Sequence, residues 1–314
     1  MNNNNYLLTV YCLTYNHENY IEDALKGFVS QKTNFKYKVL VHDDCSTDKT
    51  VEVIRRYAEK YPDIIFPILQ SENQYSKDSN IVKEFIVPKF EGKYIAMCEG
   101  DDYWIDSNKL QKQVDFLENH SEYSACVHNS EVLNCRFNTR KLLNSNTNDY
   151  DIEFSEIIKG GNQSYQMSSL VCRRELDELY HSDQRPEYLN INCSFGDYPL
   201  GIFLCLNGKM RYISEVMSVY RLMTPNSWTS RNRNVNAVEK NYNSIKELLI
   251  GVDNYTEQKY HEAISNVLRR NEFNVLLIKK NLKELKSGKY LDLWNELSVS
   301  NRIKIYIKKV LKID

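Results

Sequence analysis

Four short apolar runs, separated by segments with helical spacing, fill the chain up to Cys98, and no other feature restricts its fold so much. The runs are YLLTVYCL, YKVLVHDD, DIIFPIL and KYIAMC. After the first, ENYIEDALKGFVSQ puts Ile21, Ala24, Leu25 and Phe28 on one helix face. After the second, STDKTVEVIRRYAEKYPD does the same with Val51, Ile54, Tyr57 and Ala58, behind Ser46, Thr47 and Asp48 as caps. NIVKEFIVPKF reads as a short helix that Pro88 helps to end. Strands alternating with helices imply an α/β protein with a mostly parallel central sheet flanked by helices. Ligands of such sheets collect at the carboxyl ends of the strands, where HDD and EGDD both stand.

The pattern loosens in the second half. RFNTRKLLNSNTNDY, residues 136–150, is polar enough for a surface loop or a hairpin; GDYPLGIFLCLNGK reads as a buried helix ending at Gly208, and MRYISEVMSVYRL as one or two strands. Beyond about Asn232 the chain is charged and helix-patterned. The expected division is an α/β domain over 1–231 and a C-terminal helical extension over 232–314.

Charge and cysteine usage narrow the function classes. Lys and Arg number 41 against 42 Asp and Glu, a formal net charge of -1, so no global field draws nucleic acid, and a site for a charged ligand must be local. The eight cysteines contain no CxxC pair and several lie in apolar runs, as expected of reduced thiols in the cytoplasm. The start, MNNNNYLLTVYCL, has no basic region before its apolar run and no small-residue cleavage site. No stretch reaches the roughly 18 apolar residues of a membrane span. Neither secretion nor membrane spanning is expected.

YIAMCEGDDYWID poses the chemical question. A buried strand runs straight into Glu99, Asp101 and Asp102, and three carboxylates at one strand end repel one another and are costly to desolvate without a cation or donors among them. Capping of a helix beginning near Ser107 is one use for them. Holding a divalent cation through their hard oxygens is the other.

Four stretches in order, VYCLTYNHENYIEDALKG, VLVHDDCSTDKT, KYIAMCEGDDYW and FGDYPLG, resemble the family 2 glycosyltransferases, whose sugar-nucleotide-binding fold is called GT-A. The resemblance covers roughly residues 6–230. DDCSTDKT stands where the family has DDxSxDxT, and EGDD where it has DxD, with Glu99 in place of the usual first Asp. No GxxxxGK[ST] or GxGxxG occurs, so neither a P-loop nucleotidase nor a dinucleotide enzyme gains support.

The resemblance implies a role for each candidate. Asp101 and Asp102, with Glu99, would hold Mn²⁺ or Mg²⁺, and Asp101 would also face the donor. Asp44 would accept the N3–H of a uracil ring beside Asp43, with Leu13, Thr14 and Tyr15 as the other wall of the base; the alternative is a strand-end turn in which Asp44 caps the next helix. Asp197, at the start of a helix, would be the base for the acceptor hydroxyl, a role compatible with an N-cap. Arg221 would hold the leaving diphosphate, and Trp228 would shield the site or stack on a sugar. Ser168 and Ser169 would line the acceptor pocket. His17 reads equally as a capping or packing residue and as a ligand contact.

The function implied is an inverting, metal-dependent transfer from a nucleotide sugar, with a UDP-sugar foremost, to a glycan or lipid-linked acceptor of a bacterial surface polysaccharide. The alternative is a binding protein that kept the fold without turnover. The tail NRIKIYIKKVLKID, from Asn301 to Asp314, gathers Ile303, Tyr306, Ile307, Val310, Leu311 and Ile313 on one helical side and Arg302, Lys304, Lys308, Lys309 and Lys312 on the other, with Ile305 out of place. It fits a packing helix or a peripheral contact with the inner face of the membrane.

Overall fold

The computed structural model describes residues 5–77, 80–160, 164–191, 196–224 and 235–311, with side chains up to Ile307. The chain divides into two compact units, one of Met1–Pro186 with Asp197–Pro225, the other of Glu187–Gly196 with Asn226–Asp314.

The first unit opens with β1 (Tyr6–Thr14), α1 (Ile21–Val29), β2 (Lys36–Asp43), α2 (Thr50–Lys60), β3 (Ile65–Leu69) and β4 (Tyr94–Met97). These strands are parallel and lie in the order β3-β2-β1-β4, as right-handed crossovers through α1 and α2 require. Alternate positions of the two central strands, Leu8, Val10 and Cys12 on β1 and Val39 and Val41 on β2, meet Ile21, Ala24, Leu25 and Phe28 of α1 in one core, so all four positions expected on the α1 face are buried. On α2 Ile54 and Tyr57 are buried, while Val51 and Ala58 are half-buried. NIVKEFIVPKF forms a π-helical turn, Val82–Ile86, followed by a 3-10 turn, Val87–Lys89.

The chain continues through β5 (Tyr103–Trp104), α3 (Lys109–Asn119), β6 (Tyr123–Asn134), β7 (Thr139–Leu142), β8 (Tyr150–Ile152), α4 (Phe154–Gly160), β9 (Val171–Arg173), α5 (Arg174–His181), α6 (Asp197–Leu206) and β10 (Lys209–Leu222). Here the sheet becomes mixed: β9 is antiparallel to β4 and β6, β10 is parallel to β6, and β5 is antiparallel to β10. The polar stretch 136–150 takes its hairpin option, β7 folding back on β6. MRYISEVMSVYRL is one strand with register shifts near Val216. Trp104 anchors the turn after EGDD: its indole N–H donates to the Ser168 carbonyl at 2.7 Å, and its ring packs edge-on to Phe28.

The second unit is helical, with Val235–Tyr255, His261–Ile278, Leu282–Leu285, Leu291–Glu296 and Val299–Leu311. Phe273, Leu285, Tyr290, Leu293 and Trp294 form its core, and Ile305 packs against them. The expected stripe on the tail is thereby corrected. Ile305, out of place on a helical wheel, is the residue that faces inward, and Arg302 turns with it, donating to the carbonyls of Leu297 and Asn295 at 2.9 Å. Ile303 and Ile307 are 51% and 49% exposed. Val310, Leu311 and Ile313 fall outside the described side chains. Among the described residues no helix is long and apolar enough to cross a membrane, and the described cysteines are all free.

Candidate active site

The carboxyl ends of β2 and β4 flank that of β1, which brings HDD and EGDD to one edge of the sheet. Asp43 closes β2 fully buried; its carboxylate accepts the Ser46 N–H at 2.8 Å and the Ser46 hydroxyl at 2.5 Å, fixing a turn in which Cys45 adopts a left-handed φ of 64°. Asp44 is tied to β1 by its own N–H, which donates to the Thr14 carbonyl at 3.0 Å. Its carboxylate accepts the N–H groups of Gln74 at 2.7 Å and Tyr75 at 3.1 Å, so it secures the loop after β3 and does not cap α2. The first turn of α2 is served by Asp48, whose Oδ1 accepts the Thr50 N–H at 2.9 Å. A carboxylate oxygen accepts from two directions, so these bonds leave Asp44 further acceptor capacity. Leu13 is half-buried and Tyr15 exposed beside it.

Gly100 lies against the end of β1, its N–H donating to the Leu13 carbonyl at 2.9 Å. A Cβ there would stand 2.7 Å from Thr14 Oγ1 and 2.9 Å from His17 Nδ1, which is why the position between Glu99 and Asp101 is glycine. Both of those polar atoms are buried without a hydrogen-bond partner. Burial lowers the His17 imidazole below its usual range, against the raising effect of Asp101, Asp48 and Asp43. The sequence left His17 open between capping or packing and a ligand contact. Its backbone does start α1, the carbonyl accepting the Tyr20 and Ile21 N–H groups at 2.9 Å, and its ring lies beside Gly100.

The acids of EGDD separate into distinct environments. Asp102 is 2% exposed, and its Oδ1 accepts the Arg221 N–H at 2.8 Å; burial, then Asp101 and Glu99, hold its carboxyl well above the usual range. Asp101 is half-buried, and its Oδ2 accepts the Thr224 hydroxyl at 3.0 Å. Glu99 reaches solvent, yet loss of hydration among the packed protein around it, then the carboxylates of Asp101 and Asp197, lift it to about 8. Arg221 is 9% exposed and occupied inside the fold, Nη1 donating to the Asp101 carbonyl at 2.9 Å and Nη2 to Asp23 at 2.5 Å.

Asp197 is the first residue of α6. Its Oδ1 accepts the Tyr198 N–H at 3.0 Å and its carbonyl accepts the Tyr165 hydroxyl at 3.1 Å; burial raises its carboxyl to about 6. Asp197 thus binds the N–H of its neighbour in the first turn of α6 while remaining a titratable acid. Ser168 and Ser169 do not line a pocket. Both are fully buried, one hydroxyl meeting Ser218 Oγ at 3.2 Å and the other donating to the Gln166 carbonyl at 2.6 Å. Trp228 lies outside the described residues.

Among the described residues no group of three or more His, Cys, Asp or Glu side chains could hold a metal ion by itself. The donor set that reaches the surface, Asp101 beside Glu99, is hard oxygen, and its mutual repulsion would be relieved by a cation. This fits Mg²⁺ or Mn²⁺ completed by diphosphate and water, and does not fit an all-protein cage.

Comparison with known proteins adds a family, two relatives and two solved structures. The family model described as Glycosyl transferase family 2 matches residues 9–179. An uncharacterised protein of Mycobacterium tuberculosis is 32% identical over 226 residues, 71% of this chain and 61% of that protein, so the match spans well under the relative's full length. The teichuronic acid biosynthesis glycosyltransferase TuaG of Bacillus subtilis, itself named as putative, is 30% identical over 115 residues, 37% of this chain and 43% of its own. TarS 1-349 of S. aureus, solved in complex with UDP-GlcNAc, superposes with a TM-score of 0.61 at 18% identity, over 91% of this chain and 79% of that one. A Pyrobaculum calidifontis mannosyltransferase solved with GDP-Man and Mn²⁺ has a TM-score of 0.50 at 15% identity, over 99% and 89%. The likeness to TarS carries the GT-A type of fold, and the family match covers more than half of the chain: this protein belongs to glycosyl transferase family 2.

Proposed function

We propose that the chain is an inverting glycosyltransferase that moves a sugar from a nucleotide sugar, a UDP-sugar before others, to a hydroxyl of a glycan or lipid-linked saccharide in bacterial surface-polysaccharide synthesis. One observation carries the reading: the order β2-β1-β4 brings HDD and EGDD to one edge of the sheet, with Asp197 close enough to Glu99 to raise its carboxyl. A base near neutrality close to a diphosphate-binding acid pair is what glycosyl transfer to a hydroxyl requires. The UDP-GlcNAc bound by TarS supports a uridine donor, and the names of TarS and TuaG support a cell-surface polymer as acceptor.

In this mechanism Asp44 and the Leu13, Thr14 and Tyr15 segment bind the base, with Asp43 holding the turn between them. Thr14 Oγ1 and His17 Nδ1 offer the diphosphate two polar atoms that have no other partner. Asp101, seconded by Glu99, would hold a divalent ion, which when bound supplies charge neutralisation for the departing diphosphate. Asp102 is given to the fold. Asp197 accepts the proton of the acceptor hydroxyl; the acceptor oxygen bonds to C1 of the sugar from the face opposite the diphosphate, and the C1–O bond breaks with its electron pair leaving on the nucleotide. A sugar-nucleotide binder without turnover has no use for a base held near 6, which disfavours that alternative.

The site of action is proposed as the cytoplasmic side, at the inner face of the membrane. Val299, Ile303 and Ile307 recur every four residues, all exposed, and the tail from Asn301 to Asp314 carries five basic residues against one acid, the complement of an anionic lipid surface. Release of UDP, GDP and dTDP from a panel of nucleotide sugars, with and without Mn²⁺, tests the central proposal. No release from any donor in the presence of candidate glycan acceptors would overturn it in favour of the binder.

A further inference from the structure

We infer that Arg221 and Asp23 form a latch that sets the position of Asp101, and that Arg221 acts on the donor through this latch without gripping the diphosphate. The inference rests on the donor-site reading above and deepens it. Arg221 is the last residue but one of β10, and its backbone and side chain do separate jobs. The N–H meets Asp102 Oδ1 at 2.8 Å, which extends the β5 to β10 pairing, Tyr103 opposite Val219, by one side-chain bond. The guanidinium then folds back over the loop, giving Nη1 to the Asp101 carbonyl at 2.9 Å and Nη2 to Asp23 Oδ2 at 2.5 Å. Its plane is held by aromatic faces, 4.4 Å from the Tyr103 ring centroid and 5.2 Å from that of Tyr20.

Every partner belongs to a wall of the site. Tyr20 and Asp23 start α1, directly after the segment that bears Thr14, Tyr15 and His17; Asp101 and Tyr103 are the loop that bears the acids. One side chain thus locks α1, the acidic loop and β10 together. The main chain of Asp101 is fixed by Arg221 and its carboxylate is aimed by Thr224 Oγ1, which leaves that carboxylate a defined direction and a free oxygen. Only a planar fork can make these bonds at once; a lysine at 221 could keep one. The latch also disposes of the guanidinium's charge, because Asp23 is an ion-pair partner already in place. A phosphate would have to displace it.

That competition gives opposite signs to the two roles. The full chain is titrated with UDP plus Mn²⁺ by calorimetry. The latch predicts that Arg221→Lys and Arg221→Gln each weaken binding about tenfold or more, since small displacements of a positioned group are expensive. Asp23→Asn, at a half-open position that tolerates change, should weaken it by about threefold to tenfold, and should add less than about twofold in an Arg221→Gln background because the pair acts as a unit. Lys26→Ala, which removes the other cation near Asp23 at 4.0 Å, should leave affinity unchanged. If Arg221 grips the diphosphate, Arg221→Lys keeps most of the affinity and Asp23→Asn, by freeing the guanidinium, tightens binding; either result overturns the latch. Amide hydrogen exchange across residues 99–104 without nucleotide is the second measurement. Faster exchange in Asp23→Asn is expected, and unchanged exchange overturns the latch even where wild type binds no UDP, an outcome that would on its own sink only the donor reading.

Discussion

Asp102 Oδ1 and the Arg221 N–H lie 2.8 Å apart inside the protein, so the second aspartate of EGDD is spent on strand pairing while its neighbour Asp101 keeps a face to solvent. The two residues should therefore fail differently. Asp101→Ala is expected to cost about tenfold to a hundredfold in Mn²⁺-dependent UDP affinity with little change in melting temperature. Asp102→Ala removes a buried acceptor, strands the Arg221 N–H, and should cost about 1–3 kcal/mol of stability. Equal loss of affinity at equal stability in both variants would contradict this division.

The pH dependence of turnover should report Asp197. Held at about 6, its carboxyl must be ionised to accept a proton, so kcat/KM should rise through about pH 6 and level above it. Asp197→Asn should abolish that rise and reduce turnover by about 10²-fold or more, with UDP affinity kept. A profile that is flat from pH 5 to pH 7 in wild type, by initial-rate measurement, would leave Asp197 as a cap only.

The same group makes a stability prediction of opposite direction. Its folded value lies above its unfolded value of 3.8, so its favourable contribution is complete below about 4 and lost as pH rises through about 6. Above that pH wild type carries the whole cost of a buried carboxylate. Asparagine caps a helix about as well and carries no charge, so Asp197→Asn should melt at or above the wild-type temperature at pH 8. A clear fall by scanning calorimetry would contradict the burial argument.

Asp44 binds the loop after β3 through the Gln74 and Tyr75 N–H groups, and Asp44→Ala should release that loop along with the base. Affinity for UDP is expected to drop by about tenfold while Mn²⁺ dependence persists. Loss of the metal dependence itself would show that the base end and the phosphate end of the site are not separable.

The two exposed isoleucines of the last helix distinguish membrane contact from packing. Ile303→Asp with Ile307→Asp should abolish cosedimentation with anionic vesicles and leave the melting temperature unchanged, whereas Ile305→Asp, in the helical core, should lower it. Wild-type protein that ignores anionic vesicles at low salt would end the membrane proposal.

The first four strands and the α1 face could be read from spacing because in a parallel sheet each strand is buried by its own neighbours in sequence. The mixed half could not, since β9 pairs with β4 across about 75 intervening residues and nothing local in VCR announces it. At the site, motif order indicated which acids stand together, but not that Asp102 turns inward or that Arg221 is already paired. Those outcomes depend on β5, a strand of two residues that exists only because β10 is there to receive it. His17 stayed open between packing and ligand contact because no spacing reveals that its Nδ1 is buried without a partner. Ile305 broke the helical wheel for a similar reason: a wheel ranks apolarity, and only the neighbouring helices decide which side is in.

The order β2-β1-β4 has a consequence for size. Neighbouring strands stand about 4.8 Å apart, so the main chains that end β2 and β4 are separated by two such steps, roughly 10 Å. The hydrogen-bond ladder fixes this interval between the two strand ends. On the proposed reading a ligand that reaches both ends carries its base and its diphosphate across that interval, while uridine or pyrophosphate alone engages one end only. Tethering the two halves should therefore be worth far more than either fragment, and the sheet would measure its donor by length before any side chain inspects it.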